Sequence, residues 1–98
     1  MTIVQLKYAI AVAEYKNFTI AADKCFVTQP TLSMQIQKLE GELNVTIFDR
    51  GKKPISLTEI GEKIIKQSKK IVSESEKMND VVDKDKGIIG GNIKLGII

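Results

Sequence analysis

The sequence predicts a mainly helical fold of three helices, a short β-hairpin and a long final helix. Hydrophobic residues recur every three or four positions through most of the first 43 residues, and again from about residue 58 to residue 86. Between these stretches, two β-prone runs flank a segment rich in turn residues. Because 98 residues enclose only a small core, we expect one small domain with an appendage.

The first helix is predicted to span about Thr2–Tyr15. It is interpreted as scaffold, because its apolar residues have the spacing of an amphipathic helix. Those residues are Leu6, Ala9, Ile10 and Ala13. A short second helix, about Thr19–Cys25 with Thr19 as its N-cap, contains small residues that allow another helix to approach, Ala21 and Ala22. The aromatic residues that flank it, and that we expect in the core, are Phe18 and Phe26.

The third helix is predicted over Thr28–Leu43, where Thr28 is a suitable N-cap and Pro30 suits the first turn. Its apolar stripe consists of Leu32, Ile36, Leu39 and Leu43. The opposite face offers hydroxyls, amides and one cation, and it carries Pro30, Thr31, Ser33, Met34, Gln37, Lys38 and Gly41. This face has no acidic residue before Glu40, so it is suited to contact base edges and phosphates. Judged by its periodicity alone, however, the helix is more often an ordinary surface helix.

The second helix, the tight connection Phe26–Thr28 and the third helix match the helix-turn-helix pattern, although the usual turn glycine is absent. The runs Val45–Phe48 and Ile55–Leu57 are then predicted to be two short strands around the loop Asp49–Pro54. The loop gathers the cations Arg50, Lys52 and Lys53. An isolated cluster of this kind is usually solvated. Beside a helix-turn-helix, we interpret it as a wing that contacts phosphates or the minor groove.

The last helix, capped by Thr58 or Ser56, is predicted to run to about Lys86, roughly 40 Å at 1.5 Å per residue. Its apolar seam consists of Ile64, Ile65, Ser68, Ile71, Val72, Ser75, Met78, Val81 and Val82. The sequence shows no partner for the seam from Ile64 to Val82 within the chain, and the small core cannot cover a helix of this length. We therefore expect the seam to be a dimer interface, with a second copy of the chain covering its far end. A solvated extension is the alternative. Residues 87–98 are predicted to be a hinge and the first strand of a further domain, which divides the chain into 1–57, 58–86 and 87–98.

Composition narrows the function classes. One Cys and no His exclude an internal disulfide and a Cys/His metal site. No nucleophile paired with a base and no cofactor loop is visible, so we expect neither an enzyme nor a cofactor. The sequence has no apolar run of about 18 residues and no signal-peptide pattern, so we expect a cytoplasmic protein with no membrane partner. The formal net charge of +3 favours an acidic partner only weakly.

Several short motifs resemble those of the LysR-type transcriptional regulators. They are Ala21–Ala22, Gln29–Pro30, Ser33, Gln35–Ile36, Leu39–Glu40, Leu43, Phe48–Arg50, Leu57–Thr58 and Gly61. The resemblance extends over the whole chain, and Cys25–Glu40 also resembles the peroxide-responsive OxyR-like branch. It implies a winged helix-turn-helix domain, a long linker helix that dimerises it, and a C-terminal effector-sensing domain. A homodimer, and a higher oligomer of the full-length protein, are the implied assemblies.

In that family, the positions matching Gln29, Pro30, Ser33 and Met34 face double-stranded DNA, as does the wing. Together with the outer face of the third helix, this predicts DNA contacts at Thr28, Gln29, Pro30, Thr31, Ser33, Met34, Gln37, Lys38, Arg50, Lys52 and Lys53.

Two positions depart from the family pattern. Asn44 replaces a common Gly and is expected to adopt the same left-handed conformation. Met34 replaces a frequent basic residue and offers an apolar group for a thymine methyl.

The leading hypothesis is therefore a sequence-specific DNA-binding regulator that reads an inverted repeat as a dimer. Its finer form is a hydrogen-peroxide-responsive activator. In OxyR-like proteins the redox cysteines belong to the effector domain. Cys25 lies on the short second helix between Ala22 and Phe26, so it is expected to be a small buried residue. An enzyme, and a protein-interaction module built on the last helix, are the alternatives. Salt-dependent binding of duplex DNA distinguishes the first class from the other two.

Overall fold

The structure, a computed structural model, describes residues 1–86, and the hinge and strand expected for residues 87–98 lie outside that range. Within it, four helices and a two-stranded antiparallel hairpin follow one another in the predicted order. They are α1 (Ile3–Tyr15), α2 (Phe18–Lys24), α3 (Gln29–Leu43), β1 (Phe48–Asp49), β2 (Ser56–Leu57) and α4 (Glu59–Asp85). This order confirms the mainly helical, winged helix-turn-helix fold with a long last helix.

Side-chain caps fix where the helices begin. Each cap accepts a hydrogen bond from a backbone N–H three residues further on, and the predicted ones are Thr2, Thr28 and Thr58. The prediction for α2 is wrong, because Asn17 and not Thr19 is its N-cap. The Asn17 Oδ1 accepts from the Ile20 N–H at 2.8 Å, so the helix begins at Phe18 and Thr19 lies inside it.

One hydrophobic core joins the first three helices, the start of the hairpin and the first half of α4. Its buried apolar residues are Leu6, Ala9, Val12, Ala21, Ala22, Leu32, Ile36, Leu39, Ile47, Phe48 and Ile65. Helix α1 packs against α2, α3 and α4, with its largest contact on α4. Three members of the predicted α3 stripe are therefore in the core. The fourth, Leu43, is exposed, because the last turn of α3 extends past the core.

The first half of the α4 seam has a partner within the chain, which corrects the expectation that the seam is unpartnered. Ile65 and Ser68 are buried, and the Ser68 hydroxyl donates to the Ile64 carbonyl at 2.7 Å. Other seam residues pack partly on the core, namely Ile64, Ile71 and Val72. Beyond Ser75 the same face is uncovered, and Met78 and Val81 are 65% and 63% exposed. The long helix thus has a packed half and a free half.

The hairpin is shorter than predicted. Phe48 pairs with Leu57 and Asp49 with Ser56, so each strand has two residues. The residues before β1 do not extend the strand, because their N–H groups donate to α3 and not to β2. The Val45 N–H donates to the Glu40 carbonyl at 3.1 Å, and the Ile47 N–H donates to the Glu40 carboxylate at 2.7 Å. The hairpin pairing therefore ends with the bond from the Thr58 N–H to the Ile47 carbonyl at 3.0 Å.

Phe26 lies outside the core, which corrects the prediction that it is buried. Its φ is 60°, in the left-handed region, and its surface is 95% exposed. The N–H of Val27 donates to the Ala22 carbonyl at 3.0 Å, which closes the C-terminus of α2. The neighbours Cys25 and Val27 both pack on the core, so the residue between them points outward. Asn44 also has a positive φ, 57°, as predicted.

Candidate nucleic-acid interface

The buried side of α3 determines which face of the helix is exposed. Leu32, Ile36 and Leu39 have no exposed surface, so the opposite face of the helix is turned to solvent. A side-chain hydrogen bond adds to this constraint, because the amide of Gln5 on α1 donates to the Gln35 Oε1 at 3.0 Å. The hydrophobic stripe and this bond together hold the polar face outward on a rigid support.

The predicted contact residues on α3 are accessible, with one half-buried member. Those exposed are Thr28, Gln29, Pro30, Thr31, Met34, Gln37 and Lys38, and the half-buried residue is Ser33. The Thr28 hydroxyl already accepts from the Thr31 N–H at 3.3 Å and donates to the Thr31 Oγ1 at 2.8 Å. Thr28 is therefore chiefly a cap. The amide of Gln29 and the hydroxyl of Ser33 are better suited to an outside partner.

The N-terminus of α3 is electrostatically suited to an anion. Its first turn contains no acidic residue, and its N–H groups carry the positive end of the helix dipole. The exposed residues of this turn are short and polar, so a phosphate or a base edge can approach closely.

A cleft between the wing and the start of α2 collects positive charge. The cleft is lined by Arg50, Lys52 and Lys53 together with Lys16, which is not among the predicted contact residues. Lys16 ends α1 and lies more than 30 residues from the wing in the chain, so no local pattern could associate the two. The fold brings the four cations to one concave surface.

Two of the wing cations, Arg50 and Lys52, differ in what they contact. The Arg50 Nη2 lies 3.3 Å from the Glu40 Oε1, and the guanidinium lies 5.0 Å from the centre of the Phe18 ring. Lys52 contacts Asp49 only loosely, at 3.9 Å, and its side chain is 70% exposed, against 38% for Arg50. Lys52 is therefore open to a ligand, whereas Arg50 lies against the protein.

Other chemistry has little support in the part of the chain that is described. Cys25 is half-buried, and burial raises the pKa of its thiol, which disfavours the reactive thiolate. Among residues 1–86, no group of three or more His, Cys, Asp or Glu side chains is placed to hold a metal ion. No helix in the same range is long and apolar enough to cross a membrane.

Comparison with known proteins agrees with this geometry. The chain is 35% identical over 98 residues to the DNA-binding transcriptional dual regulator OxyR of Escherichia coli K12, covering all of this chain and 32% of that protein. It is 36% identical over 95 residues to a probable RuBisCO transcriptional regulator of Porphyra purpurea, covering 97% of this chain and 30% of that protein. The chain thus spans about a third of the length of the curated relatives it matches.

The fold has solved counterparts as well. A crystal structure of a BenM_DBD/benA site 1 DNA complex superposes with a TM-score of 0.84 at 36% identity, covering 88% of this chain and 97% of that one. The sequence-family model of the bacterial regulatory helix-turn-helix proteins of the lysR family matches residues 3–62. The polar face of α3, the basic wing and these matches lead to one conclusion: the chain belongs to the LysR family of bacterial transcription regulators.

Proposed function

We propose that the chain is the DNA-binding part of a LysR-type transcription regulator. Two copies bind an inverted repeat, with α3 in the major groove and the wing against the backbone and minor groove of each half-site. The observation that carries the proposal is the exposed, acid-free face of α3 beside the cationic wing cleft. Support comes from a relative that is named DNA-binding and from a similar domain that was crystallised with DNA.

The α3 face offers distinct contacts to base edges. The amide of Gln29 matches the donor and acceptor that adenine presents in the major groove, and the Ser33 hydroxyl donates or accepts. Met34 carries no charge and suits a thymine methyl. Lys52 and Lys53 in the wing supply phosphate contacts that carry no sequence information.

The dimer is proposed from the free half of α4. Residues 59–70 contain four Lys and two Glu, whereas residues 71–86 contain five acids and three Lys. Antiparallel pairing places the basic half of one helix beside the acidic half of the other, and parallel pairing places like charges together. The proposed apolar contacts are Ile64, Ile71, Val72, Ser75, Met78, Val81 and Val82. Ile65 and Ser68 leave the predicted interface, because their own chain buries them.

A symmetric dimer has consequences for the site it binds. Its two α3 helices are related by a two-fold axis, so the half-sites form an inverted repeat separated by about one helical turn or a multiple of it. We retain the division into a DNA-binding unit (1–57), a linker helix (58–86) and an adjoining segment (87–98). Higher oligomers of the full-length protein and a cytoplasmic location belong to this proposal.

A peroxide-responsive activator is the finer proposal. Its support is the 35% identity to several proteins named hydrogen peroxide-inducible genes activator. The similar identity to RuBisCO regulators shows that this identity by itself does not distinguish signals within the family. Burial raises the pKa of the Cys25 thiol and disfavours its reactive thiolate, so we assign the proposed response to peroxide to the effector domain.

The proposal is tested by separating base reading from backbone binding. Genomic fragments retained by the purified protein are sequenced to define the site, and affinities for it and for unrelated duplex are compared. Gln29→Ala and Ser33→Ala should each cost about 1–3 kcal/mol on the specific site and leave non-specific binding nearly unchanged. Gln67→Ala, an exposed residue on α4, is the matched control. Equal losses on both duplexes would refute base reading, and no retained DNA would refute the proposed function.

A further inference from the structure

We propose that Arg50 is a positioning residue, which sets the wing against α3 through Glu40 and Phe18 and does not itself bind a DNA phosphate. This inference rests on the proposed function and differs from the prediction that Arg50 contacts DNA. It assigns phosphate binding in the wing to the lysines and makes Glu40, an acid next to the DNA-binding face, necessary for tight binding.

Glu40 uses both carboxylate oxygens to hold the wing. Its Oε2 accepts from the Ile47 N–H at 2.7 Å and the Phe48 N–H at 3.3 Å. Its Oε1 accepts from the Arg50 Nη2 at 3.3 Å. The side chain is 12% exposed, so the carboxylate depends on these donors in place of water. One residue of α3 is thereby bonded to three residues in and around β1, namely Ile47, Phe48 and Arg50.

Arg50 is held from a second side by an aromatic ring. Its guanidinium lies 5.0 Å from the centre of the Phe18 ring, within the range of a cation–π contact. The Phe18 ring in turn meets the Phe48 ring edge to face, with centroids 5.9 Å apart. The contacts link α2, α3 and β1, so the position of the wing is tied to the two helices of the helix-turn-helix.

A phosphate would have to compete with this arrangement. Turning Arg50 toward DNA would remove the only cation within 4 Å of the Glu40 carboxylate in the described structure and would leave that acid poorly solvated. Lys52, by contrast, is 70% exposed and its Asp49 contact is 3.9 Å long, so it reorients at little cost. A lysine in place of Arg50 keeps the charge but loses the flat guanidinium that satisfies Glu40 and Phe18 together.

The first test preserves charge and changes shape. Arg50→Lys should weaken binding to the specific site about tenfold and remove the wing's hydroxyl-radical footprint, while the α3 footprint remains. A phosphate-binding Arg50 predicts the opposite, because lysine also binds phosphate. Lys52→Gln is the control: it should lower the slope of log affinity against log salt by about one and keep a wing footprint. Wild-type affinity and footprint in Arg50→Lys would overturn the inference and leave the proposed function intact.

The second test asks whether Glu40 and Arg50 act as one unit. Glu40→Gln makes the surface more positive, so simple electrostatics predicts tighter binding, whereas loss of the wing's position predicts weaker binding. In the double-mutant cycle, adding Arg50→Lys to Glu40→Gln should cause little further loss. Additive losses, or tighter binding by Glu40→Gln, would overturn the inference.

If circular dichroism shows that Glu40→Gln is unfolded, the Arg50→Lys variant decides alone, since it leaves both backbone hydrogen bonds to Glu40 in place. Failure of the unmodified protein to bind DNA would instead refute the proposed function.

Discussion

Phe26 illustrates at the residue scale how a position can be set by the backbone and not by its own side chain. It occupies the left-handed position after α2, where glycine is the usual residue, and its ring is 95% exposed. Phe26→Gly should therefore raise the free energy of unfolding by roughly 0.5–1 kcal/mol, because the left-handed conformation disfavours any residue with a Cβ. Phe26→Ala, which removes the ring but keeps the Cβ, should change it by less than about 0.5 kcal/mol. Urea unfolding measures both, and a loss of stability in both variants would show that the ring packs on the fold.

Single residues could be predicted from the sequence where the deciding contact is local. The caps Thr28 and Thr58 each bond to an N–H three residues away, so the sequence shows both partners at once. The position of Phe26 was predicted wrongly, because its exposure follows from the packing of both of its neighbours on the core. The position of Lys16 beside the wing was missed, and the role of Glu40 was invisible, because each depends on residues that only the tertiary structure brings close.

Gly61 shows at the element scale how closely α4 approaches the chain before the hairpin. A Cβ on Gly61 would lie 2.1 Å from the Ile47 carbonyl oxygen, a backbone atom that is itself held by the Thr58 N–H. Gly61→Ala should lower the free energy of unfolding by about 1–3 kcal/mol, because the first turn of α4 must move away. The measurement is denaturant unfolding followed by circular dichroism.

Gly41 provides the matched control, since it also lies in a helix. A Cβ there would meet nothing within 4 Å, so Gly41→Ala should stabilise the protein by about 0.5–1 kcal/mol through helix propensity alone. The propensity gain is common to both substitutions, and the difference between them measures the steric cost at Gly61. If the two variants were equally stable, the close approach of α4 would be wrong.

The extent of each element was predictable where periodicity extends over several turns. Helices α1, α3 and α4 have the predicted bounds within about one residue, because their stripes are long and their caps are clear. The lengths of the strands were overestimated. The β-branched residues before β1 are typical of a strand, and the sequence does not show which groups accept hydrogen bonds from their N–H groups. The α3 face was predicted from the same stripe, whereas its relation to the wing depends on contacts of Glu40 and Phe18 that span several elements.

The described part of the molecule measures 50 × 24 × 19 Å, an elongated shape for a small core. The length comes from α4, whose 27 residues extend about 40 Å at 1.5 Å per residue. Its exposed residues Met78 and Val82 continue the face that packs on the core, and Val81 lies at the edge of that face, so one surface serves the core and then an outside partner. Fully burying a side chain such as Val81 stabilises a protein by roughly 1.5–3 kcal/mol, and this stabilisation is absent while the side chain stays exposed to water.

We therefore predict that the chain is a dimer at micromolar concentration and that Val81→Glu makes it monomeric in sedimentation equilibrium. Val81 is 63% exposed in the single chain, so the change should leave the fold intact. Ile71 is a poorer probe, since it packs partly on the core. Ser73→Glu adds the same charge on the side of α4 that is opposite the seam, and it should leave the dimer unchanged. Because pairing fixes the distance between the two α3 helices, Val81→Glu should weaken binding to the full inverted repeat far more than to a half-site. A monomeric unmodified chain, or equal losses on both sites, would refute pairing through α4.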